Sequence, residues 1–405
     1  MSILKRTMKS SNVSDFQPQS WQTSSNEALK ISLIGKDVQA GAIQFPPTFT
    51  YPIFGDDETI YGYKDLVIHL VFDSITYKPF LNVKYSEKLN DAIDPQTDII
   101  DKITPFLPAN DYILRDELQW VDSFHSERES FNLMLLCEKI DEYKKEDKSY
   151  GIYRVPIGEL IQKDKDSPLI KFWLRIQIFT LLYIEAATYL NLEDEPRWVI
   201  YLLFNEEDQT LIGFVTTYSY WDYQGHESFD NKATKLKFNE KISQFLIMPP
   251  YQELGHGSSL YQSLYSYWFK QDTVSCITVE DPNEQFDDLR DRNDLKILSS
   301  TGFFEELKKK CMDEQEVKFV SDEWIELKRQ EYKFEKRQFN RLIEMILLIE
   351  KKNMLFIRQV KRRIWLKNYD SLCELEDSEQ QYKAINDSYL LVKEDYERII
   401  QACKF

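Results

Sequence analysis

One stretch constrains this chain more than any other: Gln244-Phe245-Leu246-Ile247-Met248-Pro249-Pro250-Tyr251-Gln252-Glu253-Leu254-Gly255-His256-Gly257-Ser258. It reads as a strand stopped by two prolines, a tight turn, and the start of a helix with a glycine on either side of His256. Glycine without a Cβ lets successive N–H groups converge at a helix N-terminus, where unpaired donors and the positive dipole end hold phosphate. The pattern Gln/Arg-x-x-Gly-x-Gly/Ala lacks the third glycine of a dinucleotide fingerprint and the Gly-Lys-Ser/Thr of a nucleotide P-loop. That leaves coenzyme A as the better-fitting pyrophosphate ligand.

The surrounding text supplies the rest of a mixed α+β fold. At 405 residues the chain has room for two or three domains. Residues 1–28, rich in Ser, Gln and Asn, read as a flexible tail. Residues 29–135 read as a mostly β N-terminal module with some helix, from β-branched and aromatic runs at 66–72 and 80–85. The apolar run 169–192, with Ala186-Ala187, reads as one long buried helix. Residues 198–204 and 211–221 flank the polar turn 205–209 as a hairpin, 241–248 forms a third strand, and helix 255–269, strand 276–279 and helix 283–298 follow. Antiparallel strands followed by a β-α-β step imply a mixed sheet flanked by helices over 136–302. From residue 303 the charged, helix-favouring text, with Leu342, Ile343, Met345 and Ile346 at helical spacing, predicts a C-terminal helical bundle to 405.

Charge narrows the partners. Lys and Arg number 51 against 68 Asp and Glu, a formal −17. Residues 301–405 balance 21 against 21, so the whole excess lies in the first 300. Such a surface repels phosphate backbones and anionic membranes and favours a basic partner, so neither direct nucleic-acid binding nor membrane attachment is expected. Cys137, Cys276, Cys311, Cys373 and Cys403 include no C-x-x-C pair, and His69, His125, His226 and His256 have no metal-ligand spacing. The expectation is a reducing, intracellular setting with no signal peptide, no transmembrane span and no metal. Lys361-Arg362-Arg363 reads as a solvated helix face, with nuclear import as its alternative.

Several segments, in one order, resemble a known family. Residues 252–257 are similar to the acetyl-CoA loop of the GNAT acetyltransferase superfamily. Val279-Glu280-Asp281-Pro282-Asn283, Leu289-Arg290-Asp291, Phe54-Gly55-Asp56-Asp57-Glu58-Thr59, Tyr61-Gly62-Tyr63-Lys64 and Ile184-Glu185-Ala186 resemble the catalytic subunit of type B histone acetyltransferases. The resemblance implies a GNAT-type mixed sheet and acetyl-CoA as co-substrate. It implies cofactor contacts at Phe245, Leu246 and Ile247, across the loop Gln252, Glu253, Leu254, Gly255, His256, Gly257 and Ser258, and at Asn283 and Arg292. It implies Glu280 as general base, with Glu185 and Asp281 assisting. It further implies that Asp56, Asp57 and Glu58, together with Tyr218, Ser219 and Tyr220, contact the N-terminal tail of histone H4, carried with its histone partner. A WD40 histone-chaperone subunit is the expected companion, with residues 223–237 as its docking place, and the expected location is cytoplasmic and nuclear.

The chemistry of these residues agrees. A lysine amine, with a pKa near 10.4, is protonated at neutral pH and attacks a thioester only after a base takes its proton. Glu280 falls just past a strand, whereas Glu185 follows the apolar run Leu181-Leu182-Tyr183-Ile184, where desolvation would raise a carboxyl pKa. The structural alternatives are an ion-paired Glu185 and a helix-start acid at Glu280 or Asp281. Cys276, the nearest candidate for a covalent acyl-enzyme, falls in a strand as a small core hydrophobe. The readings are therefore a lysine acetyltransferase of H4 tails, a GNAT-like binding protein that transfers nothing, and an N-terminal amine acetyltransferase.

Overall fold

The computed structural model describes residues 21–35, 41–89, 98–192, 195–223, 225–226, 230, 236–311, 318–375 and 377–403. Residues 1–20 of the tail expected over 1–28, and most of the proposed docking loop at 223–237, lie outside the described residues. The chain packs as two compact units. One comprises the described residues up to Thr216 together with Gln244–Leu254, and the other Thr217–Ser243 together with the chain from Gly255 onward.

In the first unit, residues 22–28 are not the tail the composition suggested. β1 (Gln22–Ser24) pairs antiparallel with β4 (Thr59–Tyr61), and the buried Ser25 bonds its hydroxyl to that of Thr50 at 2.6 Å. The polar residues there are spent on specific hydrogen bonds, which a composition argument does not see. β2 (Leu29–Ile34), β3 (Ala42–Phe45), β6 (Val67–Asp73), β7 (Pro79–Lys84) and β9 (Ile113–Leu114) form a five-stranded sheet in the order β3-β2-β6-β7-β9. A short pair, β5 (Tyr63–Lys64) and β8 (Glu87–Lys88), flanks it in sequence. Alternation along β6 buries Ile68, Leu70 and Phe72 completely. The core is strongly aromatic, with Phe72 and Phe179 at 4.9 Å and Tyr77 edge-on to Phe172 at 5.6 Å.

The predicted single helix over 169–192 is instead two, Pro168–Ile176 and Ile178–Tyr183, followed by irregular chain. The helix stops because Ile184 turns to an extended conformation and Ala186 adopts φ of 56°, a left-handed geometry incompatible with continuing the helix. The Ala186 N–H is bonded by the Tyr51 hydroxyl at 2.6 Å instead of by a helical carbonyl. Phe172, Trp173, Ile176, Ile178, Phe179 and Leu182 are all fully buried, so the apolar run was correctly read as core.

The second sheet has six strands in the order β10 (Glu138–Lys145), β11 (Lys148–Val155), β12 (Trp198–Asn205), β13 (Leu211–Trp221), β14 (Phe238–Ile247) and β15 (Val274–Val279). β10, β11 and β12 are antiparallel neighbours, whereas β14 and β15 run parallel, joined by the helix His256–Phe269. This is the mixed sheet that the strand order predicted.

In the second unit the helix Glu284–Ser300 buries an unusual number of charges. Tyr261 donates to Asp294 at 2.7 Å, Gln338 donates to both Asp291 and Asp294 at 2.8 Å, and Arg341 pairs with Asp291 at 2.6 Å. Burial pushes the Asp294 carboxyl up to about 7 despite the neighbouring Arg290. The rest of the described chain is largely helical, with the long segments Lys336–Ile349, Asn353–Lys367 and Ser378–Cys403 as the C-terminal bundle.

Candidate active site

The parallel ladder between β14 and β15 ends at the pair Ile242 and Val279, while β14 continues to Ile247. The next residue beyond β15 is Glu280, whose N–H donates to the Ile242 carbonyl at 2.9 Å. Residues two apart on a strand share a face, so Lys241 and Ser243 stand side by side. Lys241 Nζ donates to Glu280 Oε1 at 2.7 Å, and the Ser243 hydroxyl donates to Oε2. Glu280 is thus gripped at its main chain and at both carboxylate oxygens, yet its side chain remains 41% exposed. Partial burial raises its pKa, but the Lys241 and Ser243 hydrogen bonds and the Lys241 charge outweigh that and hold the carboxyl below its ordinary range.

The glycine loop is built as its sequence required. Gln252 folds back so that its Nε2 donates to the Ile247 carbonyl at 2.8 Å, fixing the end of β14. Glu253 and Leu254 are exposed, with Glu253 at φ of 60°. Gly255 occupies the position before the helix at φ of 83°, which strains any residue with a Cβ. Gly255 at the N-cap has no side chain with which to cap this helix, and an intrahelical bond runs from the Ser259 N–H to the Gly255 carbonyl at 3.2 Å. The first-turn amides of Gly257 and Ser258 therefore face out along the axis, as an anion requires. His256 is buried in the first turn.

Asn283 caps the helix Glu284–Ser300, its Oδ1 accepting the Phe286 N–H at 2.9 Å, so only its amide NH2 is left to offer a ligand. Arg292, half-exposed on the same helix, lies 3.7 Å from Asp288. Asp281 is exposed at φ of 35°. Phe245, Leu246 and Ile247 fall on the length of β14 beyond the β15 ladder. Glu185 does not lie in apolar surroundings as expected; it is exposed, because the helix ends two residues before it.

The acidic turn divides. Asp56 and Asp57 are exposed, but the Glu58 carboxylate accepts from the Thr50 N–H at 2.5 Å, the Tyr51 N–H at 3.0 Å and Asn26 Nδ2 at 2.8 Å. Glu58 therefore caps the short helix Tyr51–Phe54 from a distance, and this commits its acceptors internally. Tyr218, Ser219 and Tyr220 are half-buried, with the Ser219 hydroxyl bonded to Glu240 at 2.6 Å.

Sequence reasoning missed Lys241 and Ser243, although their i, i+2 spacing on a strand preceding a carboxylate was readable. It also missed Gly213, where a Cβ would meet the Leu246 carbonyl at 2.6 Å, and Asn293, which donates to the Ser258 hydroxyl at 3.1 Å. Burial pushes the Cys276 thiol up to about 11, the opposite of an activated nucleophile. Among the described residues no group of three His, Cys, Asp or Glu could hold a metal ion.

β14 outruns its parallel partner, a glycine turn leads into the helix His256–Phe269, and a carboxylate stands just past the end of β15, as the resemblance to an acetyl-CoA-dependent acetyltransferase leads one to expect. A family profile described as "Histone acetyl transferase HAT1 N-terminus" matches residues 21–185, and one described as "Fungal HAT1, C-terminal" matches residues 291–352. The histone acetyltransferase type B catalytic subunit of Candida glabrata is 47% identical over 97% of this chain and 96% of its own. That of Kluyveromyces lactis is 44% identical over 95% and 93%, and that of Candida albicans 41% over 97% and 92%. The chain belongs to the family of type B histone acetyltransferase catalytic subunits. Among solved structures, Arabidopsis thaliana NAA60 in complex with a bisubstrate analogue aligns over 35% of this chain and 82% of its own, at 14% identity and a TM-score of 0.22, a likeness too slight to carry an argument.

Proposed function

We propose that this chain transfers the acetyl group of acetyl-CoA directly to side-chain lysines in the N-terminal tail of newly synthesised, soluble histone H4. The observation that carries the reading is the Glu280 carboxylate, partly exposed and held at both oxygens by Lys241 and Ser243 just past the end of β15. Acetyl-CoA supplies an activated thioester. The Gln252 to Ser258 loop, with the β14 residues Phe245 to Ile247, Asn283 and Arg292, binds and orients it. Glu280 takes the proton from the substrate ammonium, the amine nitrogen forms a bond to the acetyl carbon, the carbon–sulfur bond breaks, and the second proton that the nitrogen sheds as the amide forms neutralises the departing coenzyme thiolate. Asp281 and Glu185, both exposed, assist. The raised thiol pKa of Cys276 favours this direct route over a covalent intermediate.

The exposed Asp56 and Asp57 and the excess of acid over the first 300 residues suit a Lys- and Arg-rich tail. A WD40 histone chaperone is the proposed partner, in cytoplasm and nucleus. The test is acetyl transfer to an H4 tail peptide beside the same peptide with every side-chain lysine replaced by Arg. Transfer confined to the lysine-bearing peptide supports the reading; transfer surviving the replacement marks the α-amine as acceptor and overturns it.

A further inference from the structure

The Lys241–Glu280 pair is oddly placed for a decorative surface salt bridge. Exposed pairs contribute little to stability, so a lysine spent here has another use. It lies in register with the end of β15, on the same strand face as Ser243, and the two side chains take one carboxylate oxygen each. We propose that Lys241 is a positioning residue for acetyl transfer, which holds the Glu280 carboxyl aimed while its own cationic charge disfavours the ammonium form of the acceptor lysine arriving beside it. The proposal rests on the reading of Glu280 as the general base.

The geometry gives both effects one cause. With Oε1 and Oε2 each accepting a hydrogen bond, the carboxylate cannot rotate, and its remaining lone pairs are fixed in direction. Two cations around one carboxylate repel one another, and the system is relieved when the acceptor gives up its proton. No other charged group bears on Glu280 comparably among the described residues of its unit. On the helix that follows, Asp287 faces Arg337, and Asp288 faces Arg398 and Arg292. Ser243 is the neutral partner that keeps the second oxygen in place. Asp281, the next residue along the chain, is exposed.

The experiment is the pH profile of kcat/KM on an H4 tail peptide for wild type, Lys241→Met, Lys241→Arg, Ser243→Ala and Glu280→Gln, with acetyl-CoA affinity measured by calorimetry on each. Lys241→Met should move the acid limb up by about one pH unit and lower kcat by roughly tenfold or more, with acetyl-CoA affinity unchanged. Lys241→Arg should restore the limb to near its wild-type position, and Ser243→Ala should shift it less than Lys241→Met. An unmoved acid limb in Lys241→Met, while Glu280→Gln is inactive, overturns the role of Lys241 and leaves Glu280 as base. Full activity in Glu280→Gln overturns the reading on which the proposal depends. A Lys241→Met protein too unstable to assay transfers the decision to Ser243→Ala, whose unmoved limb would count against the proposal and whose upward shift would support it.

Discussion

Asn293, almost wholly buried in the helix Glu284–Ser300, donates a hydrogen bond of 3.1 Å to the Ser258 hydroxyl in the glycine loop. It also donates to the Leu289 carbonyl at 2.7 Å, and its Oδ1 accepts from Gln262 at 2.7 Å, so every polar atom of the amide is used. A serine oxygen that accepts from Asn293 keeps its own proton to donate outward, toward a phosphate. Asn293→Ala should raise KM for acetyl-CoA about fivefold to tenfold, the scale of one lost hydrogen bond, and leave kcat within about twofold. Steady-state kinetics at varied acetyl-CoA separates the two, and an unchanged KM would deny the loop this support.

Gly213 predicts a different failure. A Cβ there would sit 2.6 Å from the Leu246 carbonyl and 2.8 Å from the Ile247 side chain, so Gly213→Ala must displace β14 where the cofactor contacts are expected. Overpacking of this kind costs about 1–3 kcal/mol. Denaturant unfolding should show a loss of that size, and calorimetry should show weakened acetyl-CoA binding in the fraction that folds. Wild-type stability and affinity together would mean that the strand yields freely.

Glu58 carries a pH-dependent part of the stability. Burial raises its pKa, but hydrogen bonds from Thr50, Asn26 and Tyr51 outweigh that and hold the carboxyl below its ordinary range. A depressed folded pKa gives stability that is present above the unfolded carboxyl value, near 4.3, and is lost as pH falls through the folded one. Glu58→Gln should therefore cost about 1 kcal/mol at pH 7, the scale of a lost helix cap, and less as the pH drops below about 4. Parallel unfolding curves at pH 7 and pH 3.5 check this; an equal cost at both would remove the charge from the explanation.

The elements read well from the sequence are those whose apolar pattern had one period and one punctuation. β12, β13, β14 and the helix His256–Phe269 fell within a few residues of expectation, because Pro249-Pro250 and Gly255 mark their ends chemically. The hairpin β10–β11 was not read at all. β10 is Glu-Lys-Ile-Asp-Glu-Tyr-Lys-Lys, exposed along most of its length, and what makes it a strand is its pairing with β11 rather than burial. The break after Tyr183 was equally hidden, since a left-handed Ala186 and a hydroxyl supplied by Tyr51 depend on residues far away in sequence. The site divides the same way. Gly255 and Gln252 announce themselves through backbone chemistry, whereas the grip of Lys241 and Ser243 on Glu280 needs the parallel register of two strands more than thirty residues apart.

General-base catalysis by Glu280, as proposed, removes a proton from a side-chain lysine of the H4 tail. Its most direct test is radiolabelled acetyl transfer to that tail peptide by wild type and by Glu280→Gln, each with acetyl-CoA affinity measured in parallel. Cofactor affinity should be unchanged and the rate lowered by about 10²–10⁴ in the variant, the range of a lost general base. A Glu280→Gln enzyme that binds acetyl-CoA and transfers at the wild-type rate would contradict it.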